Sequence, residues 1–311
     1  MDLSEIDIIA YLDDAEIPYK TKGKNVTRGW VNINCPFPHC GDPSEHCGIN
    51  LKSNMFHCWK CNEKGSVISL LKELTDQPYR QILSELSRFK KDGEGSSDSS
   101  LMDPYPQRIG GGNDKIVWPK PLLEKAPPPH WTYLSRREFD PAFLTKKYRL
   151  KFTYNTGSYR FSIIAPVVQD KKEVAWIAAD VLRNDDNKPP YLNAPEENCI
   201  IPVNRCLYNV DTVRETAIIV EGLTDVWRCG DGFVATFRKG MTDEQIIALI
   251  RSEVTKVFIM YDADAIDQSY GLADKLSGSF PQVSVLELEK GDPGDLTNEE
   301  INQLKLEINF S

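Results

Sequence analysis

The amino-acid sequence predicts an α/β protein (α+β overall) made of a small cysteine-rich domain, a mixed α+β segment and a doubly wound parallel sheet of about four strands. Three observations lead to this prediction. In the last third of the 311-residue chain, short apolar runs alternate with helical patterns and end at carboxylates, as buried parallel strands do. Five of the eight cysteines lie between positions 35 and 61. A Gly/Ser-rich stretch separates these cysteines from the rest of the chain.

Two pairs of cysteines mark the first segment. Four residues separate Cys35 from Cys40, seventeen follow, and two separate Cys58 from Cys61. Cysteine pairs on turns between short strands are typical of a structural zinc ribbon with a tetrahedral ion. The acidic start of the chain has no signal-peptide core, so metal binding is favoured over disulfides. We therefore predict that these four cysteines hold one structural Zn²⁺, with His39 as the alternative to Cys40.

Composition indicates the domain boundaries. Residues 1–90 are predicted to form the zinc-ribbon domain. Residues 91–115 contain Gly/Ser-rich and triple-glycine runs and are predicted to be a flexible linker. Residues 116–215 combine strand and helix patterns with many basic side chains, and 216–311 hold the alternating strands and helices. The zinc-ribbon domain is thus expected to be tethered rather than fixed.

Composition and charge narrow the function classes. The chain has no run of about 18 apolar residues, so we expect no membrane span and a cytoplasmic location. The net charge of −9, taken alone, argues against nucleic-acid binding. The charge is unevenly distributed, because residues 216–311 hold 8 Lys/Arg against 17 Asp/Glu while 101–215 hold 17 against 14. A local basic groove is therefore compatible with an acidic protein.

The middle segment interleaves basic side chains with tyrosine and tryptophan. This pattern suits single-stranded nucleic acid, because phosphates pair with Lys and Arg while bases stack on aromatic rings. A solvated basic face is the alternative interpretation of the same residues. The basic candidates are Lys146, Lys147, Arg149, Arg160, Arg183 and Lys188.

Carboxylates follow several of the predicted strands of the last segment. Glu221 and Asp262 come directly after apolar runs, and Asp292 follows the last run closely. The carboxyl ends of parallel strands meet at one edge of a sheet, where α/β proteins bind ligands. Clustered carboxylates repel one another unless protonated or bound to a cation, and oxygen ligands suit Mg²⁺ or Mn²⁺. The pattern predicts a divalent-metal site for phosphate chemistry, with helix N-caps or solvated loop residues as the alternative. The predicted strands are 217–220, 233–236, 256–261 and 282–288.

Three groups of motifs follow one another along the chain. The first is the cysteine ribbon with its tether. The second is Tyr-Leu-Asn-Ala-Pro at 191–195, followed by Cys-Leu-Tyr at 206–208. The third is Glu-Gly-x-x-Asp at 221–225, Asp-x-Asp at 262–264 and Asp-Pro-x-Asp at 292–295. Together they resemble the bacterial and phage DNA primases, in which a zinc-binding domain, a basic subdomain and a TOPRIM fold occur in this order.

The resemblance implies a DNA-directed RNA polymerase of primase type, which makes short RNA primers on single-stranded DNA from NTPs. The ribbon would bind DNA and read the template start, and Tyr191 and Asn193 would join the basic residues in binding nucleic acid or nucleotide. Glu221, Asp262 and Asp264 would be catalytic. The implied Mg²⁺ or Mn²⁺ ligands are Glu221, Asp225, Asp262, Asp264, Asp292 and Asp295.

The sequence departs from the family pattern at several positions. An arginine common near Ala179-Asp180 is absent, Pro190 replaces a lysine before Tyr-Leu-Asn, and Asp264 is not followed by Ala-Gly. No P-loop is present, so we expect a separate replicative helicase, unless the chain is a fragment of a primase-helicase. A single-strand-binding protein is a further expected partner. A phage-encoded protein would act in the host cytoplasm. The alternatives are a TOPRIM-type nuclease and a non-catalytic zinc-ribbon accessory protein.

Overall fold

The chain divides into two compact units, Met1–Gly110 and Gly111–Ser311. The structure is a computed structural model. The predicted linker 91–115 lies almost wholly outside the residues that the structure describes, and Arg183 and Lys188 lie outside them too. Within the described part of the chain, no helix has both the length and the apolar character of a membrane span. The structure describes residues 5–23, 25–42, 44–91, 114–182 and 189–310.

The first unit is built on a five-stranded antiparallel sheet in which each strand pairs with the next along the chain. Cys35 and Cys40 lie in the connection between β2 and β3, while Cys58 ends β4 and Cys61 lies in the turn before β5. The apolar faces of α2 and α3 are buried, and Ser66 caps α2 by accepting a hydrogen bond from the Ser69 amide. The elements are α1 Ile8–Asp14, β1 Tyr19–Lys20, β2 Trp30–Ile33, β3 Cys47–Asn50, β4 Met55–Cys58, β5 Lys64–Ser66, α2 Val67–Thr75 and α3 Tyr79–Leu86.

The second unit begins with two helices and a four-stranded antiparallel sheet of order β6-β7-β8-β9. Asp140 caps α5 through its carboxylate, and proline occupies the first turn of both helices, where its missing N–H costs nothing. Asp170 and Lys171 both have positive φ, as a tight turn between β7 and β8 requires. The elements are α4 Pro128–Arg136, α5 Pro141–Tyr148, β6 Lys151–Phe152, β7 Ser162–Gln169, β8 Lys172–Asp180 and β9 Tyr191–Asn193.

A four-stranded parallel sheet of order β11-β10-β12-β13 completes the second unit and confirms the predicted fold class. The chain passes from β10 to β11 on one side and then returns to β12 on the other side of β10. Because the crossovers are right-handed, this change of direction places helices on both faces of the sheet. Thr242 and Thr297 form the two capping boxes that open α7 and α9. The elements are β10 Thr216–Val220, α6 Leu223–Cys229, β11 Phe233–Ala235, α7 Asp243–Arg251, β12 Lys256–Ile259, α8 Ile266–Ser277, β13 Gln282–Val285 and α9 Asn298–Glu307.

Three of the parallel strands are shorter than predicted, and β11 ends at Ala235 rather than 236. Strand β12 ends at Ile259 rather than 261, and β13 ends at Val285 rather than 288. The amides of Met260 and Leu286 still donate to Ile219 and Ile259 carbonyls, at 2.8 Å each. The apolar pattern therefore continues beyond the regular strand pairing, with Met260 and Tyr261 buried after β12 and Leu286 and Leu288 half-buried after β13.

One hydrophobic core joins the two sheets of the second unit. The hydroxyl of Tyr148 donates to the Val226 carbonyl at 3.0 Å, and the Trp227 indole donates to the Tyr208 hydroxyl at 3.0 Å. These bonds tie the mixed segment to helix α6, which begins beside Glu221. The carboxyl edge of the parallel sheet is thus held against the antiparallel segment.

Candidate functional sites

The four predicted cysteines form one cluster in the first unit. The ligand atoms of Cys35, Cys40, Cys58 and Cys61 all lie within 4.8 Å of one another. The sulfurs of Cys35 and Cys61 are 3.8 Å apart, and those of Cys40 and Cys58 are 3.7 Å apart. Four sulfurs placed tetrahedrally about 2.3 Å from a zinc ion would be separated by about 3.8 Å. The cluster therefore has the size that a structural zinc ion requires.

The neighbouring histidines and the fifth cysteine lie outside this cluster. His39 points Nε2 towards Glu63 Oε1, at 3.5 Å, and its side chain is 56% exposed. His46 Nδ1 lies 2.9 Å from Asp42 Oδ2, and His57 contacts Asn62. Cys47 is buried and faces Cys58 across β3 and β4. The arrangement favours Cys40 over His39 as the ligand in that pair.

Three loops bring acidic side chains to one edge of the parallel sheet. Strands β10 and β12 pair in register up to Ile219 and Ile259, so Glu221 and Asp262 leave the sheet side by side. The Ala263 amide donates to the Gly291 carbonyl at 3.0 Å and so attaches the loop that carries Asp292. We call Glu221, Asp225, Asp262, Asp264 and Asp292 the acidic edge.

Burial and mutual repulsion disfavour charge on the acidic edge. Burial, with the charge of Asp262, raises the pKa of Glu221. Burial, with the charges of Asp292 and Asp264, raises the pKa of Asp262. Glu221 Oε1 and Asp292 Oδ1 are buried without a hydrogen-bond partner. A cation would supply what these oxygens lack, since unpaired buried acceptors are costly.

Asp225 is the most deeply buried member of the acidic edge, with 4% of its surface exposed. Its Oδ2 accepts the Gly222 N–H at 2.8 Å, which joins the start of α6 to the end of β10. A β-carbon added at Gly294 would lie 3.1 Å from Asp225 Oδ1 and 2.8 Å from Asp292 Oδ1. Glycine at 294 is therefore needed for these two carboxylates to flank the same backbone.

The acidic edge is more open than the cysteine cluster. Among the described residues, the only group of three or more Cys, His, Asp or Glu ligand atoms close enough to share an ion is the four cysteines. The Asp264 side chain is 81% exposed and pairs with Lys239, at 3.0 Å. Asp295 lies against Gly291, whose added β-carbon would be 2.7 Å from Asp295 Oδ2. The assignment of individual carboxylates as metal ligands stays a prediction.

Arg137 is a cation beside the acidic edge that the sequence analysis missed. It lies at the end of α4, donates to the Tyr133 hydroxyl at 3.3 Å and interacts electrostatically with Tyr191 and Asp292. Arg228 holds this region together, because it donates to the carbonyls of Arg137 and Gly294 at 2.7 and 3.0 Å. In the sequence, the only indication of this role was a pair of arginines at the end of a predicted helix. Basic residues at helix ends are common on exposed surfaces, so the pair did not point to the site.

The predicted basic residues are less concentrated than the sequence suggested. Lys147 pairs with Asp231 at 3.0 Å, and Arg149 lies 3.9 Å from Glu173. Lys146 and Arg160 are exposed. Partial neutralisation by neighbouring acids weakens the basic character of this segment. Their role in binding nucleic acid stays a prediction.

Tyr191 lies beside the start of helix α6, whereas Asn193 is exposed. The Tyr191 hydroxyl is 3.4 Å from Thr224 Oγ1. Strand β9 therefore brings Tyr191 close to the acidic edge, next to Arg137.

We expect the acidic edge to make the protein less stable as the pH rises. Burial, with the charges of Asp292, Asp262 and Glu221, raises the pKa of Asp225 from 3.8 to about 7, against the lowering effect of the Gly222 hydrogen bond. Between these values the folded state binds more protons than the unfolded state, so the free energy of unfolding falls as the pH rises. Asp225→Asn removes this titration and keeps an oxygen for the Gly222 N–H.

In thermal melts without divalent cations, Asp225→Asn should therefore exceed the wild-type melting temperature by several degrees at about pH 8, since 1 kcal/mol corresponds to about 2–4 °C in a domain of this size. The difference should shrink at about pH 4, where both side chains are neutral. Asp274→Asn, at an exposed position on α8, is the control. An Asp225→Asn variant that melts at or below wild type at both pH values would contradict the assignment.

The fold and sites define a zinc-ribbon protein whose second unit carries a cluster of carboxylates at the edge of a parallel sheet. Residues 3–94 match the CHC2 zinc finger family of DnaG-type proteins. A DNA primase from Clostridium acetobutylicum is 24% identical over 89% of this chain and 53% of its own length. A DNA primase from Streptomyces coelicolor is 22% identical over 83% of this chain and 48% of its own length. The chain spans about half the length of these curated relatives.

Among solved structures, the zinc-binding and RNA polymerase domains of the Aquifex aeolicus primase superpose with a TM-score of 0.51. The match covers 99% of this chain and 84% of that one, at 18% identity, and shows a shared fold. Residues 3–94 thus match a CHC2 zinc finger, and most of the chain is similar in sequence to proteins named DNA primase. The zinc-finger match and the four-cysteine cluster together support one structural Zn²⁺.

Proposed function

We propose that this protein synthesises short RNA primers on single-stranded DNA from NTPs. The observation that carries the proposal is the acidic edge, where buried oxygens of Glu221 and Asp292 have no partner, in a chain that also holds a four-cysteine zinc site. The named DNA primases to which the chain is similar support the same activity. The acidic edge or the zinc site alone would be compatible with many nucleic-acid-binding proteins and enzymes. The presence of both in one chain favours templated polymerisation.

The residues of the acidic edge would act by holding divalent cations. Glu221, Asp262 and Asp264 are the proposed catalytic carboxylates, with Asp225, Asp292 and Asp295 as further ligands. Mg²⁺ or Mn²⁺ bound there would neutralise phosphate charge and favour ionisation of the attacking hydroxyl. Burial raises the pKa values of Glu221, Asp225 and Asp262, so cation binding would release any protons that these carboxylates carry.

The reaction would join a 3′-hydroxyl to the α-phosphate of the incoming nucleotide and release pyrophosphate. Arg137 and Tyr191 are the proposed nucleotide contacts, because Arg137 interacts with Asp292 of the acidic edge and Tyr191 lies beside Arg137 and Thr224. The basic residues of the middle segment, including Lys146 and Arg160, would contact template phosphates. The zinc ribbon would bind the template through its own surface. A separate replicative helicase and a single-strand-binding protein are the proposed partners.

Incubation with single-stranded DNA, labelled ribonucleotides and Mg²⁺ tests this function. We expect labelled oligoribonucleotides whose formation needs both the template and the divalent ion, and which are destroyed by alkali. Two other outcomes would contradict the proposal and identify the alternatives. Shortening of the DNA would indicate a nuclease, and DNA binding without either product would indicate an accessory protein.

A further inference from the structure

We propose that Lys239 binds the phosphates of the incoming nucleoside triphosphate and is thereby a further substrate-binding residue of the acidic edge. This inference rests on the proposed function. Lys239 lies in the loop 236–240, which follows strand β11 at the same edge of the sheet as Glu221 and Asp262. Its charge interacts with Asp264, Glu221 and Asp262.

The loop 236–240 is anchored to the two strands that carry the carboxylates. The Phe237 amide donates to the Glu221 carbonyl at 2.9 Å, and the Gly240 amide donates to the Tyr261 hydroxyl at 3.0 Å. Phe237 has a φ of 64° and Gly240 a φ of 100°. Left-handed conformations at both ends fold the loop back on the sheet edge. Lys239 is therefore presented at the site by backbone bonds on both sides.

The two basic side chains of the loop, Arg238 and Lys239, point in different directions. Arg238 turns away, because its Nη2 donates to the Asn204 carbonyl at 3.1 Å. Lys239 Nζ lies 3.0 Å from Asp264 Oδ1, in a pair whose side chains are 38% and 81% exposed. Exposed ion pairs are weak and exchange readily. A triphosphate that enters the site would compete with Asp264 for the ammonium group, while a divalent cation would compensate the carboxylate.

A protein cation beside Asp264 would favour the binding of a triphosphate at the acidic edge. A triphosphate carries several negative charges and would approach at least three carboxylates. Arg137 interacts with Asp292 and Lys239 with Asp264, while Asp262 interacts with both of these carboxylates. Lys239 thus adds positive charge on the Asp264 side, whereas Arg137 interacts with Asp292.

The alternative is that Lys239 only neutralises Asp264. The variant Lys239→Met separates the two roles, with Lys256→Met as a matched control. Lys256 forms a similar ion pair with Glu215, at 3.1 Å, at the opposite end of β12. Direct binding of a fluorescent NTP with Mg²⁺ and without template is measured by anisotropy. The KM values for NTP and for template are measured in primer synthesis.

We expect Lys239→Met to weaken NTP binding and to raise the KM for NTP by about 10–100-fold, which is the range for one charge-assisted hydrogen bond. The KM for template should change less than about 2-fold, and Lys239→Arg should restore part of the affinity. Lys256→Met should behave as wild type. Unchanged NTP affinity in Lys239→Met would overturn the proposal, as would wild-type protein that binds no NTP.

The proposed function and this inference fail separately. If wild-type protein binds NTP and Lys239→Met does not, while neither makes primers, the phosphate-binding role stands and the polymerase activity is wrong. If both proteins make primers with the same KM for NTP, the polymerase activity stands and the role of Lys239 is wrong.

Discussion

Replacing Asp262 with asparagine is expected to reduce primer synthesis by at least about 100-fold, since even residues that only support metal ligands contribute about 10–100-fold. Asp262 lies at the centre of the acidic edge, because its carboxylate interacts with both Asp292 and Asp264. The substitution keeps the shape of the side chain and removes its charge. The rate of labelled ribonucleotide incorporation at saturating template and NTP measures the effect.

A control variant and a metal-binding measurement show whether the effect of Asp262→Asn is due to the loss of a metal ligand. Asp274→Asn removes an exposed carboxylate from helix α8 and should keep wild-type activity. Binding of Mn²⁺, followed by its paramagnetic resonance signal, should weaken in Asp262→Asn and not in the control. Asp262→Asn protein that folds, binds Mn²⁺ as wild type does and retains more than about half of the activity would remove Asp262 from the proposed metal site.

The second large effect is expected at the zinc ribbon, where Cys58→Ser should abolish zinc binding and unfold the first unit. The Cys58 side chain is buried, and its sulfur is 3.7 Å from that of Cys40. The strands around the cluster are short, so zinc would contribute much of the folding free energy of this unit, about 10–16 kcal/mol in isolated zinc fingers. Metal analysis should show the zinc content falling from one ion per chain to none, and limited proteolysis should remove the first unit.

Cys47→Ala is the matched control, because Cys47 is equally buried beside Cys58 but lies outside the cluster. It should retain one zinc ion and lose only some stability through the small cavity created. The variants His39→Ala and Cys40→Ser test whether His39 or Cys40 is the zinc ligand. We expect His39→Ala to retain zinc and Cys40→Ser to lose it. Stoichiometric zinc in Cys58→Ser would refute the four-cysteine site.

The zinc ribbon was largely predictable because its signals are local. Cysteine spacing indicates two pairs of thiols beside short strands, and strands that follow one another directly commonly pair in an antiparallel sheet. The choice between His39 and Cys40 was not predictable, since adjacent residues in an irregular loop have no periodic pattern. The structure separates them through the contact of His39 with Glu63.

The sequence by itself determined the order of the modules, the parallel sheet and the presence of Glu221, Asp262 and Asp292 after its strands. Those features depend on short-range patterns: apolar runs specify strands, and the geometry of parallel sheets gathers their ends. Only the tertiary structure decided that Asp225 is buried against Gly222, and that Arg137 and Lys239 interact with opposite members of the acidic edge. These relations join residues distant along the chain, and no local pattern encodes the side-chain directions and burial that produce them.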